Sequence, residues 1–333
     1  MSKKEHSAAE TSVENPIFIF IMAAGAMIAF SVMNVFVKIA AIDYSMAQIV
    51  FARNAFALFL ILYMVSRQSS GKWDNLKTSN HFGHFWRGFI GVAGMFCFFK
   101  SFDLLPLSNA TAIHFAGPLL LTILSVFMLN EKVGKHRWGA VIVGLMAVWL
   151  MVWPQMSYGG TQMTGSIIAF MAAVFAAFAM IFVRKLGRTE HAMTIVFYFT
   201  IYGMIIGAIG MAFTWQPINP ETIFFLIMTG LIGGVGQIML TYAYAHAPAA
   251  YVAPFSYLAI VVAIGADILI WQTFPAWYIY AGSFIIIMSG LYIVRRETIK
   301  HKKISARVAG YGLSPATPTD ADLEESAALK NKV

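Results

Sequence analysis

From residue 17 to residue 294 the chain alternates long apolar runs with short polar interruptions. The first run extends from Ile17 to about Ala41, and others cover about 46–66, 84–104, 107–128, 137–153, 164–184, 192–214, 222–243, 250–271 and 276–294. A helix needs about 20 apolar residues to cross a bilayer. In lipid such a run has no outside partner for its peptide groups, so it must be helical. The pattern predicts an all-α membrane protein with ten transmembrane helices. Residues 1–15 read as a disordered cytoplasmic tail, 16–153 and 154–294 as five spans each, and 295–333 as a second disordered tail, basic and then acidic.

Composition agrees with the pattern. Of 333 residues, 59% are hydrophobic and 11% charged, against about 25% charged in soluble domains. A lone cysteine, Cys97, excludes an internal disulfide and a cysteine metal cluster. The net charge of +8 is not a nucleic-acid signal, because it concentrates in connections and helix ends: Arg67, Lys72, Lys77 and Arg87, then Lys132, Lys135 and Arg137, then Arg184, Lys185 and Arg188. With RRETIKHKK after the last run, this one-sided bias predicts both termini in the cytoplasm of an inner-membrane protein.

The chain repeats itself. Gly88-Phe-Ile-Gly-Val-Ala-Gly94 and Gly230-Leu-Ile-Gly-Gly-Val-Gly236 both read GxIGxxG, and Pro106 and Pro248 follow each twelve residues later. A dinucleotide fingerprint would need a strand before the glycines and a soluble acidic partner after them. Within apolar runs, small residues instead let helices approach closely. Two copies of an odd number of spans lie in opposite orientations, the signature of alternating-access carriers.

Phe51-Ala-Arg53, Leu105-Pro-Leu-Ser-Asn-Ala-Thr-Ala112, Gly117-Pro118, Leu129-Asn-Glu131 and Trp138-Gly139 occur in that order. With these motifs the chain resembles the drug/metabolite transporter superfamily, in particular its ten-helix EamA-type carriers, over about residues 17–294. The stretches HFWRGFIGVAGM and TAIHFAGPLLL are most similar to the branch of S-adenosylmethionine and riboflavin importers. The resemblance implies two inverted five-helix repeats, a central cavity lined by spans one to four and six to nine, and peripheral fifth and tenth spans. The second copy departs from the pattern: Gln272-Thr273 stands where Asn130-Glu131 would recur, and Ile260 where Pro118 would.

Ionisable residues within spans are functional candidates. Arg53 can clamp a carboxylate or phosphate bidentately, or lock helix packing. Lys100 has Asp103 three residues on, a spacing that permits an ion pair, and it either snorkels to the interface or lines the cavity. His114 titrates near neutral pH when unperturbed. Asn34, Gln237, Tyr242 and Tyr257 are further substrate-binding candidates, and Asp267 is a proton-coupling candidate. The predicted function is secondary transport of a small polar organic metabolite (amino-acid-like, nucleoside-like or vitamin-like) by alternating access. The alternatives are an intramembrane lipid-modifying enzyme and a membrane scaffold. The carboxylates and histidines are scattered, so neither a catalytic set nor a metal site nor a cofactor is predicted. Expected partners are the cargo, the bilayer and a second copy joined through peripheral helices, with no nucleic acid.

Overall fold

The computed structural model describes residues 16–67, 76–131, 133–158, 160–247 and 249–310. The expected N-terminal tail, residues 311–333, Lys72, Lys132 and the repeat proline Pro248 lie outside them. Among the described residues all regular structure is helical. The elements are α1 (Pro16–Ala40), α2 (Met46–Arg67), α3 (His81–Leu104), α4 (Leu107–His114 and Ala116–Leu129, interrupted at Phe115) and α5 (Lys135–Tyr158). Then follow α6 (Gly160–Leu186), α7 (Ala192–Thr214), α8 (Ile223–His246), α9 (Ala249–Val252, a 3-10 stretch Ala253–Tyr257, then Leu258–Leu269) and α10 (Trp277–Gly310).

Seven helical segments are long and apolar enough to cross a membrane, in α1, α2 and α4–α8, and shorter apolar segments cover Ala253–Leu269 and Trp277–Ile293. The remaining helix, α3, is 24 residues long and carries Arg87, Lys100 and Asp103. Large apolar side chains such as Phe59, Phe127, Phe213 and Phe284 are mostly exposed, the surface of a protein solvated by lipid rather than water. One expectation is corrected at the C-terminus. The segment from Arg295 to Gly310, read as the start of a disordered tail, continues α10. It is rich in helix-forming Arg, Lys, Glu and Ala and holds no proline.

Helix pairing is orderly. The helix α3 packs along α6, and α1 along α8; α2 packs on α7 and α8, and α3 on α7; α4 lies on α6 and α9 on α1; α5 packs on α10. Each of these pairings is returned when every helix is exchanged for the one five places along. The glycine motif lies in these contacts. A β-carbon at Gly230 would stand 2.5 Å from Phe56 Cβ and 2.6 Å from the Ala52 carbonyl of α2, and one at Gly88 would stand 2.7 Å from Tyr202 Cβ of α7.

The repeat also survives where its letters are lost. Asn130 and Gln272, 142 positions apart, are the two non-glycine residues with positive φ among the described residues, at 54° and 51°. Each ends an apolar helix in the same way: Glu131 donates its N–H to the Ser125 carbonyl at 3.2 Å, and Thr273 to the Asp267 carbonyl at 2.9 Å. Both are left-handed closures one residue wider than the 6→1 bond of the Schellman motif. The two mid-helix interruptions correspond as well. Pro118 cannot donate back to His114, so α4 loses a bond one turn after its break. In α9 that proline is Ile260, but Pro254 sits at the start of the 3-10 stretch. Phe115 and Tyr257, the equivalent residues at the two interruptions, pack ring on ring at 5.4 Å.

Candidate functional site

Two arginines meet over one aromatic ring in the middle of the bundle. Arg53 of α2 is only 5% exposed, and its guanidinium carbon lies 5.8 Å from the centre of the Phe199 ring on α7. Arg87 of α3 lies over the same ring at 4.3 Å. Its place was not expected: a basic residue two turns from a helix end ordinarily snorkels outward, whereas Arg87 reaches inward. Gly91, one turn deeper, makes room for it, because a β-carbon there would stand 2.2 Å from Arg87 Nη1 and 3.0 Å from the Phe199 ring. The signal in the sequence was Arg87-Gly-Phe-Ile-Gly91, an arginine with a glycine four residues on inside an apolar run.

Arg53 Nη1 donates to Asn54 Oδ1 at 3.0 Å, and Asn54 is fixed in turn by donating to the Val50 carbonyl at 2.7 Å. Arg53 Nε, Arg87 Nε and Arg87 Nη1 are buried with no hydrogen-bond acceptor. Among the described residues neither arginine forms an ion pair. Uncompensated charge in a water-poor interior is costly, and an Arg fork with unused donors matches carboxylate or phosphate oxygens. The arrangement can therefore receive an anionic group, with the Phe199 face as a flat neighbour for both cations. Asn34 on α1 is also buried with a free Oδ1. Its neighbour Met33 packs against Gly233 of α8, the residue that also borders Arg53.

The other sequence candidates fall into three separate places. His114 ends the first part of α4, stacks on Phe98 at 4.1 Å and keeps a buried Nδ1 without a partner. Tyr257 shares this region through Phe115, and its hydroxyl end lies against Gly290 of α10, where a β-carbon would not fit. Tyr242 lies far along α8, stacked on His246 at 4.0 Å and edge-on to Phe18 at 5.4 Å. Gln237, one turn before it, is half-buried, and its carbonyl accepts from Thr241 at 2.7 Å. Lys100 is exposed and bonds Asp103 at 2.7 Å, the pair its spacing permits.

Asp267, the proton-coupling candidate, meets the start of α4. Fully buried, it accepts from the Leu107 N–H at 3.0 Å, the Ser108 N–H at 2.7 Å and the Ser108 hydroxyl at 2.6 Å. It thus caps α4, whose start follows Pro106 and supplies no cap of its own. Lys38 Nζ stands 3.9 Å from Asp267, donates to the Leu105 carbonyl at 3.1 Å and lies 4.7 Å from the centre of the Trp271 ring. Sequence reading missed this because the cap belongs to a helix 160 residues away. At the same end, Gln48 Nε2 donates to the Gln216 carbonyl at 2.8 Å, Tyr44 to the Asn219 carbonyl at 2.9 Å and Asn219 Nδ2 to Asp43 at 3.1 Å.

The opposite end has its own ties among the described residues. Arg184 of α6 meets Glu131 after α4 at 2.9 Å. Thr78 donates to Glu190 at 2.6 Å, and the buried His84 ring lies 3.8 Å from the same carboxylate while packing against Tyr198 at 4.6 Å.

Comparison with known proteins agrees with this architecture. A family model described as the EamA-like transporter family matches the chain twice, over residues 17–153 and 163–295. The chain is 28% identical to a pseudopaline exporter of Pseudomonas aeruginosa, over 83% of the chain and 96% of the exporter. It is 25% identical to a riboflavin transporter of Vibrio cholerae, over 86% of the chain and 95% of that protein. It is 29% identical to an S-adenosylmethionine uptake transporter of Rickettsia bellii, over 67% and 76% respectively. A crystal structure with 16% identity superposes with a TM-score of 0.59, covering 83% of this chain and 96% of the other, a likeness of fold.

Proposed function

The chain belongs to the EamA-like transporter family, and from that premise we propose that it is a secondary transporter for a small organic metabolite bearing an anionic group. The cargo class is amino-acid-like, nucleoside-like or vitamin-like, carried across the inner membrane by alternating access. The observation that carries this reading is the pair of guanidiniums over Phe199, with buried donors and no carboxylate partner among the described residues. They offer charge-assisted bonds that only an acceptor-bearing guest completes. Ten spans in two inverted five-helix repeats, 16–153 and 154–294, are the frame. That frame is supported by the doubled family match, the exchangeable helix pairings and the matching closures at Asn130 and Gln272.

Alternating access needs a site approached from either end in turn. The bonds of Asp267, Gln48 and Tyr44 support a state closed at their end. Both termini lie in the cytoplasm in this reading, following the basic connections.

The test is a ligand-stabilisation screen on purified protein with amino acids, S-adenosylmethionine, flavins and nucleosides, since a true ligand raises apparent stability by mass action. A carboxylate- or phosphate-bearing compound should raise the unfolding temperature, and Arg53→Ala and Arg87→Ala should each abolish the rise. Stabilisation that survives both substitutions would overturn the site assignment. Placing a cysteine at Gly310 in a Cys97→Ala background tests orientation, because labelling from outside intact cells contradicts it.

A further inference from the structure

Where α5 begins and α10 leaves its apolar stretch, a shallow groove of about 560 Å³ runs between the two helices. Its walls are apolar, with Ala140 and Val143 from α5 and Met288 from α10. Its floor is open at Gly139, where a β-carbon would meet nothing within 4 Å. A polar cluster stands at one end of it. Arg296 donates Nη2–H to His136 Nε2 at 3.3 Å and Nε–H to the Tyr292 hydroxyl at 3.4 Å, and His136 Nδ1 lies 3.1 Å from that hydroxyl. Lys135 lines the same rim. Arg137, two residues on, is turned away toward Thr122 of α4.

Hydrogen-bond bookkeeping fixes what this cluster lacks. A guanidinium has five N–H donors and no lone pair. His136 Nε2 must therefore accept, which assigns the Nδ1–H as donor to Tyr292. The Tyr292 oxygen then accepts twice, and its own hydrogen is left over. What remains is donors only: three N–H of Arg296, the O–H of Tyr292 and the ammonium of Lys135, with positive charge from both basic residues. The cluster is exposed, so water meets these donors when nothing is bound, and their positive, donor-only character matches an acceptor-rich anion. The groove below it suits hydrocarbon.

We propose that this groove is a binding site for an anionic phospholipid, whose phosphate is held by Arg296, Tyr292 and Lys135 while an acyl chain lies along Gly139, Val143 and Met288. Free phosphate would use the rim and leave the groove empty. The lipid uses both, and basic pockets between spans are where anionic headgroups bind. The site lies away from Arg53 and Arg87, so it stands or falls apart from the transport reading.

The experiment is native mass spectrometry of the purified full-length protein in detergent, titrated with dioleoyl-phosphatidylglycerol, dioleoyl-phosphatidylcholine or inorganic phosphate. One phosphatidylglycerol per chain should be retained at lipid levels where phosphatidylcholine is not. Arg296→Gln, which removes the charge, and Gly139→Leu, which fills the floor, should each lower retention at least fivefold. Both should keep the lipid-free unfolding temperature within a few degrees. Lys135→Gln, at the exposed rim, should lower retention by a smaller factor and supplies the test should either of the others fail to fold. Equal retention of phosphatidylcholine would overturn the proposal. So would loss of binding with Arg296→Gln but not with Gly139→Leu, together with equal stabilisation by inorganic phosphate, which marks a free-anion site. A two-chain species that Gly139→Leu dissociates would overturn it too, by making the groove an interface between copies.

Discussion

At one end of the bundle Lys38 and Asp267 meet with side chains 17% and 0% exposed; at the other Arg184 and Glu131 meet with 37% and 38%. Each pair joins the end of the first helix of one half to the end of the fourth helix of the other. The shorter contact, 2.9 Å against 3.9 Å, belongs to the exposed pair, yet exposed ion pairs contribute about 0–1 kcal/mol. Asp267 matters more because of what surrounds it. It closes the N-terminus of α4, neutralises a partly buried lysine and has no water to fall back on. Distance alone is thus a poor guide to which end is firmly held. The number of groups left unsatisfied when a contact is removed is a better one.

That comparison is open to direct attack. The largest effect is expected from Asp267→Ala, which strands the Leu107 and Ser108 N–H groups and removes one of the two carboxylates beside Lys38. It should cost about 3–5 kcal/mol, read as a lowered unfolding midpoint in detergent. Asp267→Asn, which keeps an accepting oxygen, should cost less. If the alanine variant unfolds like the parent, the contrast between the ends disappears.

Next comes Arg53→Ala, between the two ends. Removing a buried, unpaired charge should leave the unfolding midpoint unchanged or higher. Affinity for a stabilising ligand should fall by tenfold or more, about 1.4 kcal/mol per decade. A variant that instead unfolds readily would make Arg53 a packing residue. Gln48→Ala sharpens the comparison from the Asp267 end. It removes bonds to Ser45, Gln216 N–H and the Gln216 carbonyl and should cost about 1–3 kcal/mol. The smallest effect is expected from Glu131→Gln, about 0–1 kcal/mol, with a cost that shrinks further in high salt as the exposed pair is screened. A larger loss there would place a hidden tie at the Glu131 end.

The apolar runs forecast the helices well because lipid leaves the backbone no alternative, and seven of the runs appear as spanning segments. The interruptions at Phe115 and 253–257 were not read, although Pro118 and Pro254 were in plain view, because proline marks a possible break without fixing its place. Arg53 stood out as a charge deep in a run. Arg87 reads in the sequence as a connection charge because it lies near a run's edge, and only the space above Gly91 turns it inward. Asp267 was visible as an isolated carboxylate, but its partners depend on how α4 and α9 meet, which no local pattern carries. The lost letters at Gln272 and Ile260 suggested unequal halves. The backbone keeps the equivalence because a left-handed closure needs one tolerant residue, not a particular one.

The cap that Asp267 places on α4 also sets an order of assembly. Leu107 leaves the ribosome 160 residues ahead of its acceptor, roughly 8–30 s at about 5–20 residues per second. During that interval α4 has already been synthesised with its first N–H groups unmet, and of its two neighbouring carboxylates Lys38 has only Asp103. Both can stay satisfied only by remaining at the water-facing edge of the bilayer, the lysine by extending its ammonium outward. The first five helices therefore complete this junction only once α9 has been made. A chain released before α9 emerges should be left with a loose, protease-accessible α3–α4 junction, and it is the late arrival of a single carboxylate that draws that junction inward.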